Sequence, residues 1–222
     1  MNKCSTLSVF FLLLSVLALA QKHPYEYGFQ GGLVVGSANG SAIVSASKDR
    51  LTGMGFGIHF KRNFSPNIGL KIKINYEQMG WAYRSSFVEG NGNYSPALDR
   101  VDVLYRLPFL NIPVLAEYAF GKQLKVYVNA GPFIGFLLDS KFLVRYKDRN
   151  EPDVTSSTNR IKSLNAGIAT GIGMSYPLSS TLKINLASSQ QFGMMDVENN
   201  SQSNLRTNLN AFTFMTGVSF SF

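Results

Sequence analysis

Hydrophobic and polar residues alternate along most of this chain, most clearly between Leu110 and Leu138. Every second residue is apolar from Leu110 to Phe120, and again from Leu124 to Phe136. A period of two predicts β-strands, and the Gly121-Lys122 pair between the two runs predicts a tight hairpin turn. Both strands exceed the roughly five or six residues usual in soluble proteins. They are long enough to cross a lipid bilayer at a tilt.

The same alternation predicts eight strands, separated by connections of two kinds. The strands cover residues 27–36, 52–61, 67–78, 110–120, 124–138, 162–176, 181–191 and 212–222. Short connections lie at 62–66, 121–122 and 177–180, whereas long polar ones cover 37–51, 84–104, 139–161 and 193–207. This pattern is typical of outer-membrane barrels, whose short turns face the periplasm. We therefore predict an all-β fold, an eight-stranded antiparallel up-and-down transmembrane β-barrel, with both termini in the periplasm.

The two faces of the strands separate a membrane barrel from the alternative, a soluble β-sandwich. The apolar face carries no Asp, Glu, Lys or Arg within the eight spans, as expected where a cation at mid-bilayer costs about 2–4 kcal/mol. The opposite face is dominated by glycine, as at Gly53, Gly55 and Gly57. A sandwich would turn more charged residues to solvent, whereas small residues suit the crowded interior of a narrow barrel. The pattern favours the membrane barrel.

Composition indicates export and a lipid-facing surface. The chain of 222 residues is 45% hydrophobic and 15% charged, below the roughly 25% charged residues of soluble domains. Residues 1–20 have the features of a secretory signal peptide, namely Lys3, the apolar run Leu7–Leu17 and the cleavage site Ala18-Leu19-Ala20. Residues 21–222 then form one barrel domain. The net charge of +8 comes from scattered residues without a basic run, so no nucleic-acid partner is expected.

Charged residues on the glycine-rich face form the candidate site, a polar network in the barrel lumen. Its members are Lys71, Lys73, Glu77, Glu117, Lys125 and Lys183. Because buried charges require partners, we expect Glu77 and Glu117 to form ion pairs with these lysines. A packed interior network is the main interpretation. A narrow solute path is the alternative, although eight strands leave little free bore.

Catalysis and cofactor binding have little support in the sequence. Its two histidines are His23, beside the cleavage site, and His59, which the strand pattern points inward. A hydrolytic triad needs a base near an exposed serine, and the sequence contains no HExxH motif or cysteine cluster that would bind zinc. We therefore predict no enzymatic activity, no catalytic or metal-binding residue and no cofactor.

Two prolines lie inside the hairpin, although central strands normally exclude proline. If the Gly121-Lys122 turn sets the register, Pro113 lies nearly opposite Asn129, and Pro132 lies opposite Leu110 or Asn111. A bulge or a missing ladder hydrogen bond is expected at these points.

The hairpin also resembles a known family. Ile112-Pro113-Val114 and Ala130-Gly131-Pro132-Phe133-Ile134-Gly135 are similar to paired strands of the PorT-type outer-membrane β-barrel proteins of Bacteroidetes. The aromatic Phe222 that ends the last strand is also typical of them. The resemblance implies an eight-stranded barrel inserted by the outer-membrane assembly machinery. The family's namesake takes part in type IX protein secretion, so the resemblance also implies an accessory role in secretion as one function.

Two function classes remain open at this stage. The first is a structural or interaction barrel that binds a protein partner through its extracellular loops or its periplasmic rim. The second is a narrow, porin-like solute channel. Both classes place the protein in the outer membrane with the lipid bilayer as its surroundings.

Overall fold

The computed structural model describes residues 25–39, 49–85, 101–146, 153–156, 161–197 and 207–222. These residues form ten β-strands. Their bounds are β1 Tyr25–Asn39, β2 Asp49–Asn63, β3 Ile68–Ser85, β4 Val101–Phe120, β5 Lys125–Leu137, β6 Lys141–Tyr146, β7 Asp153–Ser156, β8 Leu164–Pro177, β9 Leu182–Gly193 and β10 Asn208–Ser221. The expected signal peptide and the central part of each expected long loop lie outside the described residues. In the described part of the chain, no helix is long and apolar enough to cross a membrane.

Eight of the strands close into a ring. Hydrogen-bonded neighbours follow the order β3-β2-β1-β10-β9-β8-β5-β4, and an additional pairing of β3 with β4 joins the two ends. Every neighbouring pair in the ring is antiparallel. Closure removes the unpaired strand edges that hydrocarbon cannot solvate. The prediction of an eight-stranded antiparallel up-and-down barrel is confirmed.

Side chains alternate between an apolar outer surface and the lumen. Outward-facing Met54, Phe56 and Phe29 are 70%, 61% and 57% exposed, whereas the inward positions between them are small or buried. An exposed apolar surface of this extent does not suit a soluble monomer, but it suits lipid. The short connections 64–67, 121–124 and 178–181 define one end of the barrel, the short-turn end, and the opposite end is the long-loop end.

Aromatic rings cluster at the short-turn end. Tyr25 stacks on both Phe60 and Phe222, with 5.8 Å between ring centroids in each pair. Tyr27 contacts Phe220 and Phe222 at 5.6 and 5.4 Å. Such a girdle is typical of the boundary between hydrocarbon and head groups.

The sheet continues past the ring at the long-loop end. Strands β3 and β4 contain 18 and 20 residues, well beyond the roughly 9–11 that a tilted transmembrane strand needs. Strand β6 pairs with Val101–Arg106 of β4, and β7 pairs with β6. The prediction of loops over 84–104 and 139–161 was therefore wrong in part. The six-residue alternation of β6 is too short to be distinctive, and its Phe142 packs on Tyr105 of β4, 5.0 Å between centroids.

The register of the β4–β5 hairpin differs from the prediction. Phe120 pairs with Val126, so five residues lie between the last paired positions and not the two predicted. Gly121 has a φ of +102°, which begins this wider turn and favours glycine. As a consequence Pro113 pairs with Phe133, and Asn129 pairs with Glu117.

Each proline interrupts one ladder. Pairing between β3 and β4 stops after Ile72–Val114 and resumes at Asn75–Asn111, an interval that contains Pro113. Pairing between β4 and β5 is likewise missing between Pro113–Phe133 and Ala116–Ala130, an interval that contains Pro132. The register is the same on both sides of each gap, so these are missing bonds and not bulges. The cause is the absence of an N–H donor in proline.

Candidate functional site

The lumen contains three layers of side chains, and the first is a charged layer near the short-turn end. Glu117 lies between two lysines, with its carboxylate oxygens 2.6 Å from Lys61 Nζ and 2.5 Å from Lys71 Nζ. Glu26 pairs with Lys183 at 2.5 Å. His59 Nε2 lies 3.9 Å from the other oxygen of Glu26. The two glutamates are almost fully buried, so the lysines supply the stabilisation that water would otherwise provide.

A cavity of about 290 Å³ opens inside the charged layer. Residues of the short turns, including Ser65 and Pro66, form its rim, and the ion-paired side chains form its walls. Lys71 Nζ also lies 4.4 Å from the ring centroid of Tyr127, a cation–π contact. Lys125 reaches the rim, where its Nζ donates a long 3.5 Å hydrogen bond to the carbonyl oxygen of Pro66. The short-turn end is therefore a polar vestibule.

The second layer, the amide layer, crosses the middle of the lumen. Glu77 Oε2 accepts hydrogen bonds from Asn111 Nδ2 at 2.6 Å and Gln191 Nε2 at 2.7 Å. Its Oε1 accepts one from Asn75 Nδ2 at 3.0 Å, and Asn75 Oδ1 in turn accepts one from Gln30 Nε2 at 2.8 Å. Glu77 lies on β3 and Gln191 on β9, which are diametrically opposite in the ring. Side chains from opposite walls are therefore in direct contact across the lumen at this level.

The third layer, the apolar layer, fills the lumen toward the long-loop end. It consists of inward side chains on β1, β3, β4 and β10, joined by residues from two connections. Its members are Val34, Ala38, Met79, Trp81, Leu107, Phe109, Ile161, Val197, Leu209, Ala211 and Met215, each at most 5% exposed. Such a packed cluster excludes water as a protein core does.

Five of the six candidate residues lie at the short-turn side of the amide layer. Lys71, Glu117, Lys125 and Lys183 line the vestibule together. Lys73 is 6% exposed and pairs in register with His59. Among the described residues, neither Lys73 nor Lys125 forms an ion pair within 4.0 Å.

Glu77 departs from its expected role. We expected Glu77 to form an ion pair with a lysine, but no such pair occurs among the described residues. The strand register instead places three amide donors around its carboxylate. Glu77 is 1% exposed, so these charge-assisted bonds replace the expected lysine partner.

Sequence reasoning missed three participants, namely Glu26, Lys61 and Gln191. Each of them lies on the inward-facing side of its strand. Glu26 precedes the predicted start of β1, and Lys61 and Gln191 are the last residues of their predicted strands. Extending the alternation by one or two residues would have found Glu26. Its partner Lys183 is 157 positions away, which no local pattern reveals.

The described residues contain no group of three or more His, Cys, Asp or Glu side chains that could hold a metal ion. The polar groups described in the lumen are lysines, carboxylates, amides, hydroxyls and the imidazole of His59. These groups bind and orient polar solutes or pack against one another.

Comparison with protein families agrees with this architecture. Residues 19–199 match the family described as outer membrane protein beta-barrel domain. No curated protein matches the chain. Among solved structures, the chain is similar to a major outer membrane protein from Thermus thermophilus, with 13% identity, coverage of 90% of this chain and 100% of that chain, and a TM-score of 0.48.

Two further solved structures have similar values. For the outer membrane protein OprG from Pseudomonas aeruginosa, identity is 14%, coverage is 90% of this chain and 97% of that chain, and the TM-score is 0.46. For Ail, the attachment invasion locus protein of Yersinia pestis, identity is 11%, coverage is 89% of this chain and 98% of that chain, and the TM-score is 0.44. The family match spans most of the sequence, and the ring of eight strands is closed. This chain therefore belongs to the outer membrane protein beta-barrel domain family.

Proposed function

We propose that this outer-membrane barrel is a non-conducting interaction protein, a membrane-anchored scaffold that binds a protein partner. The observation that carries the proposal is the double closure of the lumen. The amide layer joins opposite walls at Glu77 and Gln191, and the apolar layer lies between it and the long-loop end. A water-filled path would have to cross both layers.

The competing function is the narrow solute channel, and conductance separates the two. Purified protein refolded into planar bilayers is expected to leave the membrane silent at all applied voltages. Insertion is checked in parallel by protease protection of the same protein in vesicles. Steady single-channel openings at a frequency that scales with the inserted protein would refute the interaction barrel and favour the channel.

The orientation in this proposal follows export by a signal peptide at residues 1–20. The short-turn end, with both termini of the mature chain, then faces the periplasm, and the β3–β4–β6–β7 extension faces the outside. Insertion by the outer-membrane assembly machinery fits the last strand, β10, which alternates regularly and precedes the aromatic Phe222.

The extension is the surface that we assign to the partner. It projects beyond the ring, and among the described residues β7 pairs with β6 alone, so the other edge of β7 is the one that we assign to strand addition. Within this proposal, the bound partner is a component of a protein secretion system, and the barrel acts as its accessory, as the resemblance to PorT-type proteins implies.

Site-specific crosslinking in the native membrane tests the partner surface. A photoreactive residue replaces Lys141 in β6, whose side chain is 58% exposed, and in a matched variant it replaces Gln123 in the short turn, also exposed. The proposal expects a discrete crosslinked protein from position 141. A crosslink from position 123 alone would move the contact to the periplasmic rim. No crosslink from either position would contradict an interaction role.

A further inference from the structure

The vestibule at the short-turn end carries more positive than negative charge. Four lysines and two glutamates line its cavity, Lys61, Lys71, Lys125 and Lys183 against Glu26 and Glu117, which leaves a net charge of about +2 at neutral pH. The walls are a closed protein barrel surrounded by lipid, and such low-dielectric walls concentrate the field of the excess positive charge. The excess charge therefore attracts anions into the cavity.

Lys125 is the ammonium group that the network leaves most available. Glu117 holds Lys61 and Lys71, and Glu26 holds Lys183, whereas Lys125 Nζ makes a single hydrogen bond to the described residues, the 3.5 Å bond to the Pro66 carbonyl. An ammonium group carries three donors. Lys125 thus retains donors for a ligand at the point where the cavity meets the rim.

Two serine hydroxyls add neutral donors beside these charges. Ser221 lines the cavity, is 6% exposed, and its Oγ has no hydrogen-bond partner among the described residues. Ser65 Oγ accepts bonds from the backbone N–H groups of Asn67 and Ile68 at 3.3 and 3.0 Å, so its own hydrogen remains free to donate. Buried polar groups are normally paired, and a rotation of the Ser221 side chain about χ1 would bring its unpartnered hydroxyl to an acceptor oxygen of a ligand in the cavity.

We infer that the vestibule binds a divalent oxyanion of the phosphate class, either inorganic phosphate or the phosphate group of a small monoester. The net charge matches a dianion, and lysine and hydroxyl donors are the groups that recognise phosphate oxygens. The volume of 290 Å³ corresponds to about ten water molecules, enough for a phosphate group with a short organic substituent. Membrane phospholipids lie outside the barrel wall, so the ligand comes from the aqueous phase at the short-turn end.

Binding is tested with the whole protein refolded in a phosphate-free sugar detergent. Inorganic phosphate and glycerol phosphate are titrated by calorimetry, with sodium chloride at equal ionic strength as the reference. Saturable binding with a stoichiometry near one is expected for both phosphates and is not expected for chloride. A wild-type titration without saturation overturns the inference, as does a chloride response equal to that of phosphate.

Variants locate the site. Lys125→Gln is expected to weaken phosphate binding about tenfold, the effect of one charge-assisted hydrogen bond, and Ser221→Ala about threefold, the effect of one neutral bond. Lys122→Gln is the matched control, since Lys122 is exposed in the neighbouring turn and does not line the cavity. Equal weakening by Lys125→Gln and Lys122→Gln would mean general surface attraction and would overturn the site.

The source of the phosphate group is tested with the same preparation. Refolding with added zwitterionic phospholipid leaves the affinity for glycerol phosphate unchanged if the ligand is an aqueous solute. Loss of glycerol phosphate binding on adding phospholipid, with the protein still folded, would assign the cavity to a lipid head group and overturn the aqueous source.

Discussion

Individual charges in the lumen depend on their partners, and Glu117 is the clearest case. Its carboxylate contacts both Lys61 and Lys71, and its side chain is 1% exposed. Glu117→Ala removes the shared partner and leaves two lysines without it inside the barrel. We expect the free energy of unfolding to fall by about 3–5 kcal/mol, as for other broken buried ion pairs. Denaturant titration in lipid vesicles measures this change.

An exposed ion pair in the same protein provides the control. Asp139 lies 3.6 Å from Lys141, and these two side chains are 46% and 58% exposed. Asp139→Ala is expected to change the free energy of unfolding by less than about 1 kcal/mol, because water screens this pair. Equal losses in the two variants, or unchanged stability in Glu117→Ala, would show that the lumen network does not stabilise the fold.

For a single residue, the sequence predicts whether its side chain faces the lumen or the lipid, but not which side chains it contacts. Alternation alone places Lys71, Glu77 and Glu117 on the inner face, because strand geometry fixes side-chain direction. Partners depend on how eight strands are staggered around the ring. That stagger brings Glu26 to Lys183, 157 positions away, and surrounds Glu77 with amides.

Among the elements, strand β4 has the most varied surroundings. Its second half lies in the ring between β3 and β5, and its first half pairs with β6 outside the ring. The outward apolar pattern that indicates lipid therefore covers only part of the strand, and sequence analysis began β4 nine residues late. The prolines show the same limit. Their loss of ladder bonds was predictable from chemistry, but the residues opposite them could be predicted only from the β4–β5 register, which pairs Phe120 with Val126.

The extension is separable from the barrel. The ring closes through β3 and β4 without β6 or β7, and Leu137 N donates to Ser163 O at 2.8 Å, so the two ends of this excursion are already adjacent. Replacing residues 141–160 with a short Gly-Ser linker is expected to change the free energy of unfolding by less than about 2 kcal/mol. That range covers the Tyr105–Phe142 contact, about 0.5–1.5 kcal/mol, and a small change in loop entropy, because the β4 groups freed from the β6 ladder form hydrogen bonds to water instead.

Heat-modifiable electrophoretic migration reports whether that variant still forms the barrel. The replaced protein should keep the folded, fast-migrating band before boiling, and its crosslinks to the partner, now formed with a chemical crosslinker because position 141 is absent, should disappear. A variant that inserts poorly would show that β6 and β7 support the ring itself. A folded variant that retains its crosslinks would remove the extension from the partner surface.

At the scale of the whole molecule, two packed layers of described side chains cross the lumen one after the other. Water and ions from the short-turn end reach the vestibule, then meet the amide layer, and beyond it the apolar layer. Composition predicted a polar, glycine-rich interior throughout. The apolar layer was not expected, because three of its inward-facing residues lie outside the predicted strands. Met79 follows the predicted end of β3, and Leu107 and Phe109 precede the predicted start of β4, where both strands are longer than predicted.

If the amide layer and the apolar layer each block the lumen, conductance should appear only when both are disrupted. Glu77→Ala with Gln191→Ala removes the contact between opposite walls, and Leu107→Ser with Phe109→Ser makes the apolar layer smaller and wettable. Each pair of substitutions alone is expected to leave planar bilayers silent, since the remaining layer still blocks water, and an apolar constriction also stops ions by dewetting. The four substitutions together are expected to produce discrete openings.

The measurement compares the three variants and the wild-type protein at equal inserted amounts, judged by their folded electrophoretic bands. Phe109→Ser alone is expected to lower the free energy of unfolding by about 3–5 kcal/mol, so bilayers are formed only from the folded fraction. Openings in the Glu77→Ala, Gln191→Ala variant would mean that the apolar layer does not seal the lumen. Openings in the Leu107→Ser, Phe109→Ser variant would mean that the amide layer does not seal the lumen. Silence of a folded quadruple variant would place the block elsewhere, in the connections at the long-loop end.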